Sequence, residues 1–286
     1  MKTNSNFYLH KKLRIYNIFF IQIYIISYCK KFTMKKEYNI KRFDIRKMPS
    51  DSTVVLIGKR RTGKSFLMKD ILYHKRNSIP AGIVISKTER LSPFFQHFIP
   101  GMYIHNEYDS KILQNIFIRQ EKASKENWSN PFCFLVMDDC LSDSKSWTKD
   151  KYIAEVFYNG RHHKIFFMLA MQEPMGITPG LRGNIDYIFI TKNNNPNQRE
   201  KIYKQYAGMF PSFKVFNEIL DTCTKDHNVL VIDNVNADSN KLEDLIFFYK
   251  AEPHDFKMFT EQEWMINQKI YQEENNITKS SIRIKI

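Results

Sequence analysis

The sequence predicts an α/β fold with a mostly parallel central sheet covered by helices on both faces. Three observations predict it. From residue 50 onward, short runs rich in β-branched residues alternate with longer polar-apolar stretches, as successive βαβ units require. The short runs are almost continuously apolar, which suits parallel strands buried on both faces. Gly58-Lys59-Arg60-Arg61-Thr62-Gly63-Lys64-Ser65 reads G-x-x-x-x-G-K-[ST] directly after one apolar run and directly before a helical stretch, the order a phosphate-binding loop needs.

The elements follow in order. The run Thr53-Val54-Val55-Leu56-Ile57 predicts the first strand, and Phe66-Leu67-Met68-Lys69-Asp70-Ile71-Leu72 begins the helix expected over 64–76. Gly-Ile-Val-Ile-Ser predicts a strand over 82–86, then a helix over 109–127. Phe-Cys-Phe-Leu-Val-Met predicts a strand over 132–137 and is followed by a helix over 150–159. Lys-Ile-Phe-Phe-Met-Leu-Ala predicts a strand over 164–170, with another at 186–190. Helices at 196–207 and 212–222 precede a strand at 228–232, and 260–275 reads as one more helix before a polar, basic tail. Three regions result: a basic extension over 1–49, a domain over 50–258, and a C-terminal helix with a loose tail over 259–286.

Charge is uneven. The net charge is +14, but residues 1–76 hold 19 Lys and Arg against 4 Asp and Glu, while the rest hold 25 against 26. A broad basic face over the whole domain is therefore excluded; nucleic-acid contact would come from the N-terminal segment or a few loops. Residues 16–29 are apolar and follow Lys11, Lys12 and Arg14, but Asn17, Gln22 and Ser27 interrupt them and the run is short for a membrane span. Three readings stand: an untranslated upstream stretch with Met34 as the start, a disordered or interfacial arm, and a membrane anchor. No stable membrane insertion is expected. Cys29, Cys133, Cys140 and Cys223 are far apart, with no metal spacing, which fits a reducing compartment.

The loop carries the chemistry. Gly58 and Gly63 allow the backbone to curl, so that amides from Gly58 through Arg61, Thr62 and Gly63 converge on a phosphate at a helix N-terminus. Lys64 is placed to reach the β- and γ-phosphates, and the Ser65 hydroxyl to ligate Mg²⁺. The acidic partner is Asp138-Asp139, closing the apolar run 132–137. Asp138 is placed to hold the Mg²⁺ hydration shell, and Asp139 to orient or deprotonate the attacking water. The next strand runs into Gln172, at the edge where ligands of such sheets bind and where it can sense the γ-phosphate. Arg161, in Asn159-Gly160-Arg161-His162-His163-Lys164, is a candidate to reach a neighbouring subunit's γ-phosphate; Arg182 is the second candidate. His162 and His163 lack a third ligand nearby and read as packing residues.

The set GKRRTGKS, FLVMDD, NGRHHKIFFMLAMQ and LRGNIDYIFI resembles the FtsK–HerA superfamily of P-loop NTPases, and within it the virion genome-packaging ATPases of poxviruses and other nucleocytoplasmic large DNA viruses. The four motifs stand in the right order over about residues 50–235. The resemblance implies a RecA/FtsK-like fold and ATP with Mg²⁺ as ligands. It also implies a homo-oligomeric ring that hydrolyses ATP to move double-stranded DNA into a capsid, engaging a capsid or portal-vertex protein. The setting it implies is the virion and the cytoplasmic viral factory. It matches Lys64 and Ser65 to the phosphate and metal positions, Asp138 to the Walker-B Asp, Gln172 to the strand-end glutamine and Arg161 to an arginine position. Many members carry Glu where this chain has Asp139, and a shorter carboxylate must approach more closely or act through another water. Lys87 and Arg90, or Lys145 and Lys149, are candidates to grip DNA.

Rival readings fit fewer residues. A GTPase would want Asp-x-x-Gly and Asn-Lys-x-Asp, whereas the chain has Asp139-Cys140-Leu141-Ser142 and Thr191-Lys192-Asn193-Asn194. A nucleoside or nucleotide kinase, the main alternative, needs neither Gln172 nor an arginine in trans. A scaffold with a vestigial loop would not need Lys64, Ser65 and Asp138 intact.

Overall fold

The computed structural model describes residues 37–140, 147–236 and 239–280. The expectations for residues 1–33, for Lys145 and for the tail beyond 280 fall outside them. The described residues from Ile40 onward form one compact unit. Its strands are β1 (Lys41–Arg42), β2 (Thr53–Ile57), β3 (Ala81–Ser86), β4 (Ile104–His105), β5 (Cys133–Asp138), β6 (Ile165–Met171), β7 (Tyr187–Ile190), β8 (Val229–Asp233) and β9 (Ile246–Tyr249). Its α-helices are α1 (Lys64–Lys75), α2 (Ser110–Lys125), α3 (Lys151–Asn159), α4 (Pro179–Arg182), α5 (Pro196–Tyr206), α6 (Phe213–Cys223), α7 (Leu242–Leu245) and α8 (Glu261–Ser280).

The strands make one sheet in the order β1-β9-β8-β7-β2-β6-β5-β3-β4. Only the pairings of β8 with β7 and β9 are antiparallel among the described residues. The mostly parallel sheet expected from the apolar runs is thus what forms. Both faces are covered. Val54 and Leu56 belong to one apolar cluster with Leu67, Met68, Ile71 and Leu72 of α1. Their neighbours Val55 and Ile57 point to the other face and are just as buried. There Phe157 of α3 meets Phe167 of β6, ring centroids 5.2 Å apart.

Each of the six expected strands forms within a residue of its expected bounds. The helices form too, with α8 extending to Ser280. Strands β1, β4 and β9 were not anticipated: β1 and β4 are two residues long and β9 four, too short for a periodicity to read. One correction concerns the extension: residues 40–49 do not precede the folded body but belong to it. Lys41 and Arg42 pair with β9, and Phe43, Ile45 and Met48 are buried.

That N-terminal packing creates a titrating site. Lys75, at the end of α1, is buried and donates to the carbonyls of Met48 and Arg46. Burial outweighs the attraction of Asp44 and holds its amine down at about 8. The folded chain releases this proton well below the value of about 10.4 expected when unfolded. Across that window the unfolded state binds more protons, so folding stability gains from this group as pH rises from about 8 to 10. Lys75→Met should flatten the rise by about 1–2 kcal/mol. Urea melts of both chains at the two ends of the window check this; parallel pH dependences would sink it.

Candidate nucleotide site

Parallel pairing brings the predicted residues to one edge. In β2 and β6, Ile57 faces Met171; in β5 and β6, Met137 faces Leu169. Gly58, Asp138, Asp139 and Gln172 therefore all emerge at the carboxyl ends of adjacent strands. β6 lies between the loop strand and the acidic strand, which centres Gln172.

The loop takes its shape from two left-handed residues, Arg61 (φ 61°) and Gly63 (φ 87°). Left-handed backbone turns successive N–H groups towards one point, and the start of α1 adds its positive dipole end there. Gly58 is fixed by crowding instead. A Cβ on it would stand 1.9 Å from Thr191 Oγ1 and 2.7 Å from Thr62 Oγ1. The Thr191 hydroxyl bonds Thr62 Oγ1 at 2.9 Å, and Thr62 donates to Lys59 O at 2.8 Å. Thr191 ties the end of β7 to the loop, and the sequence reading missed it. Its signal was the one used for Gln172: a polar residue just past an apolar strand.

Lys64 is buried, and its ammonium donates to Gly58 O at 2.9 Å and Lys59 O at 2.8 Å. Burial lowers its pKa, while the charges of Asp138 and Asp139 act against that shift. Ser65 Oγ donates to Asp138 Oδ2 at 2.7 Å. Burial raises the Asp138 carboxyl above the ordinary range, with the Ser65 hydrogen bond acting in opposition. A hydroxyl and a carboxylate oxygen side by side are hard-oxygen ligands of the kind Mg²⁺ takes, so the residues present fit that ion.

Gln172 Nε2 donates to Asp139 Oδ1. Asp139 itself has φ 54°, a conformation that Asp tolerates better than most residues and that turns its side chain away from the line of β5. Behind it, Trp147 Nε1 donates to Cys140 O at 3.0 Å. Cys133, Cys140 and Cys223 are all buried thiols.

Neither arginine candidate is seen bonded to the loop among the described residues. Arg161 precedes β6, at the opposite end of the sheet, about 20 Å off for seven residues of strand. It is exposed there, and its charge lowers the pKa of Asp186, which burial raises by more. Asp186 Oδ2 in turn accepts from Thr53 N at 2.7 Å. Arg182 is committed to Ile177 O and Gln205 Oε1, over the Tyr206 ring. His163 packs edge-on to Phe117 and bonds Glu155, as a packing residue.

A phosphate loop between β2 and α1, an acidic strand end and a strand inserted between them define a P-loop NTPase. No family model matches the chain. "Uncharacterized protein L437" of Acanthamoeba polyphaga mimivirus is 39% identical over 246 residues, spanning 83% of this chain and 86% of its own. "Uncharacterized protein 088R" of Invertebrate iridescent virus 3 is 40% identical over 200 residues, spanning 70% and 76%. Among solved structures, B204, the DNA-packaging ATPase from Sulfolobus turreted icosahedral virus, matches with a TM-score of 0.53 and 20% identity, over 72% of this chain and 100% of that one. The chain belongs to the family of the mimivirus and iridescent-virus proteins, and its fold is that of a P-loop NTPase, shared with B204. No helix of the described residues is long and apolar enough to cross a membrane.

Proposed function

We propose that this chain is an ATP-hydrolysing motor, working as a homo-oligomeric ring, that drives double-stranded DNA into a viral capsid. The observation that carries it is the convergence of Lys64, the Ser65–Asp138 pair and the Asp139–Gln172 pair at one sheet edge. The family is viral, and the fold is one that a DNA-packaging ATPase also uses. Lys64 and the loop amides bind and orient the phosphates. Ser65 and Asp138 would hold Mg²⁺, which when bound would supply positive charge against the phosphates. Asp139 accepts the proton of the attacking water while Gln172 fixes its carboxylate. A kinase would not need Gln172 beside that carboxylate.

Arg161 serves a neighbouring subunit in this reading, since its exposure at the far end of the sheet leaves it free to do so. Arg90, exposed after β3 on the nucleotide edge, is a candidate for gripping DNA, beside Leu91 at 88% exposure. The partners are a capsid or portal-vertex protein, in the virion and the viral factory.

The test is the ATPase rate of the purified chain with and without double-stranded DNA, alongside light scattering. DNA should raise the rate, and the assembly should exceed a dimer; no stimulation and no larger assembly would overturn the motor. Arg161→Ala should cost about 10³-fold or more in turnover. Mixing it with Lys64→Ala subunits should restore activity, because each supplies what the other lacks. An inactive mixture would remove Arg161 from the site.

A further inference from the structure

Away from the nucleotide edge, three side chains converge without a part in the chemistry above. Asp70 and His74 stand four residues apart on one face of α1. His254 comes from the segment that follows β9, 184 residues beyond Asp70 in the chain. We propose that Asp70, His74 and His254 bind a zinc ion, which clips the segment after β9 onto the phosphate-loop helix.

The first reason is geometric. The potential ligand atoms of all three residues lie within 4.8 Å of one another. Asp70 Oδ1 is 2.7 Å from His254 Nε2 and 3.5 Å from His74 Nε2. Tetrahedral zinc, with bonds of about 2.0–2.1 Å to nitrogen and oxygen, sets its ligand atoms about 3.3 Å apart. The two measured spacings bracket that value, so small side-chain adjustments admit the ion.

The second reason is that the ligands are held. Tyr249 Oη donates to Asp70 Oδ2 at 2.6 Å, leaving Oδ1 to face the imidazoles. Such a partner orients a ligating carboxylate. Tyr73 stacks on His254 with centroids 3.6 Å apart and planes within 6°. The two imidazoles meet edge to face, centroids 5.4 Å apart.

The third reason is burial. Asp70 has no exposed surface, and a carboxylate there requires compensation. One histidine would suffice for an ion pair; the second Nε2, 3.5 Å from the same oxygen, supplies a third ligand atom for a metal. Two imidazoles and one carboxylate suit zinc better than the oxygen-seeking Mg²⁺ or Ca²⁺. His74 also lines a cavity of about 390 Å³ with Arg42, Asp44, Arg46, Tyr249 and Glu252, so water can reach a fourth position.

The experiment uses the full chain, stripped with EDTA and titrated with ZnCl₂. Calorimetry and elemental analysis should find one zinc per chain, and melting should shift upward with zinc. His74→Ala and His254→Ala should each weaken binding by at least about tenfold. His74 is partly exposed, so its removal leaves little cavity, and circular dichroism confirms that the variant folds. With cobalt in place of zinc, the folded chain should show the visible absorption of a tetrahedral site, and His74→Ala should lose it. No retained zinc and no melting shift, with His254→Ala still destabilising, would reduce the cluster to an ion pair and overturn the proposal. Unchanged zinc binding in both variants would overturn it equally.

Discussion

Lys64→Ala is expected to lower nucleotide turnover by about 10²–10³-fold or more while the chain still folds. Lys64 is the first residue of α1, and its ammonium is held by the loop's own carbonyls at 2.8 and 2.9 Å. Its charge sits where burial weakens water's screening and where Asp138 and Asp139 both favour the charged form. Transition-state charge on the γ-phosphate therefore loses its nearest compensating cation. The fold should survive, because alanine is a good helix former and only the Gly58 and Lys59 carbonyls lose a partner. Phosphate release and thermal melts on the same sample check both halves. Retained hydrolysis would show that another group does the work assigned to this lysine.

Asp139→Asn should cost about 10²–10⁴ in kcat and leave nucleotide affinity nearly unchanged. The contrast follows from the contacts. Asp138, not Asp139, receives the Ser65 hydroxyl, so the metal pair survives the change. An asparagine keeps an oxygen for the Gln172 amide and tolerates the φ of 54° at this position. Only the charge and the basicity disappear. Gln172→Ala should act in the same direction but less, since it removes the partner of the proposed base and not the base itself. Steady-state kinetics beside equilibrium binding of a non-hydrolysable nucleotide separates the two. Equal losses in kcat and in affinity would move Asp139 from proton acceptor to ligand.

Much of this site was legible because its chemistry is local. Gly58 to Ser65 is one contiguous loop, and Asp138 and Gln172 each end an apolar run, so parallel topology was enough to gather them. Three kinds of feature were not legible. The bridges β1 and β4 are two residues long and carry no pattern. Thr191 becomes significant only once β7 is known to lie beside β2, a pairing that sequence order does not reveal. Asp70 and His74 lie on one helix, and His254 comes from far downstream in a segment without periodicity, so the sequence does not bring them together. Arg161 shows the reverse case. Its motif was readable, but its place before a strand meant the end of the sheet away from the loop, a consequence of parallel pairing that its sequence neighbours did not express.

In the proposed ring, the opposite placement of the phosphate loop and Arg161 would give each subunit a donor end and an acceptor end. If Arg161 completes the site of the next copy, an open arc always contains one incomplete centre, and only closure makes the number of working centres equal the number of chains. Specific activity per chain would then rise with assembly and reach its ceiling on closure. The protein's concentration would act as a throttle on its own engine.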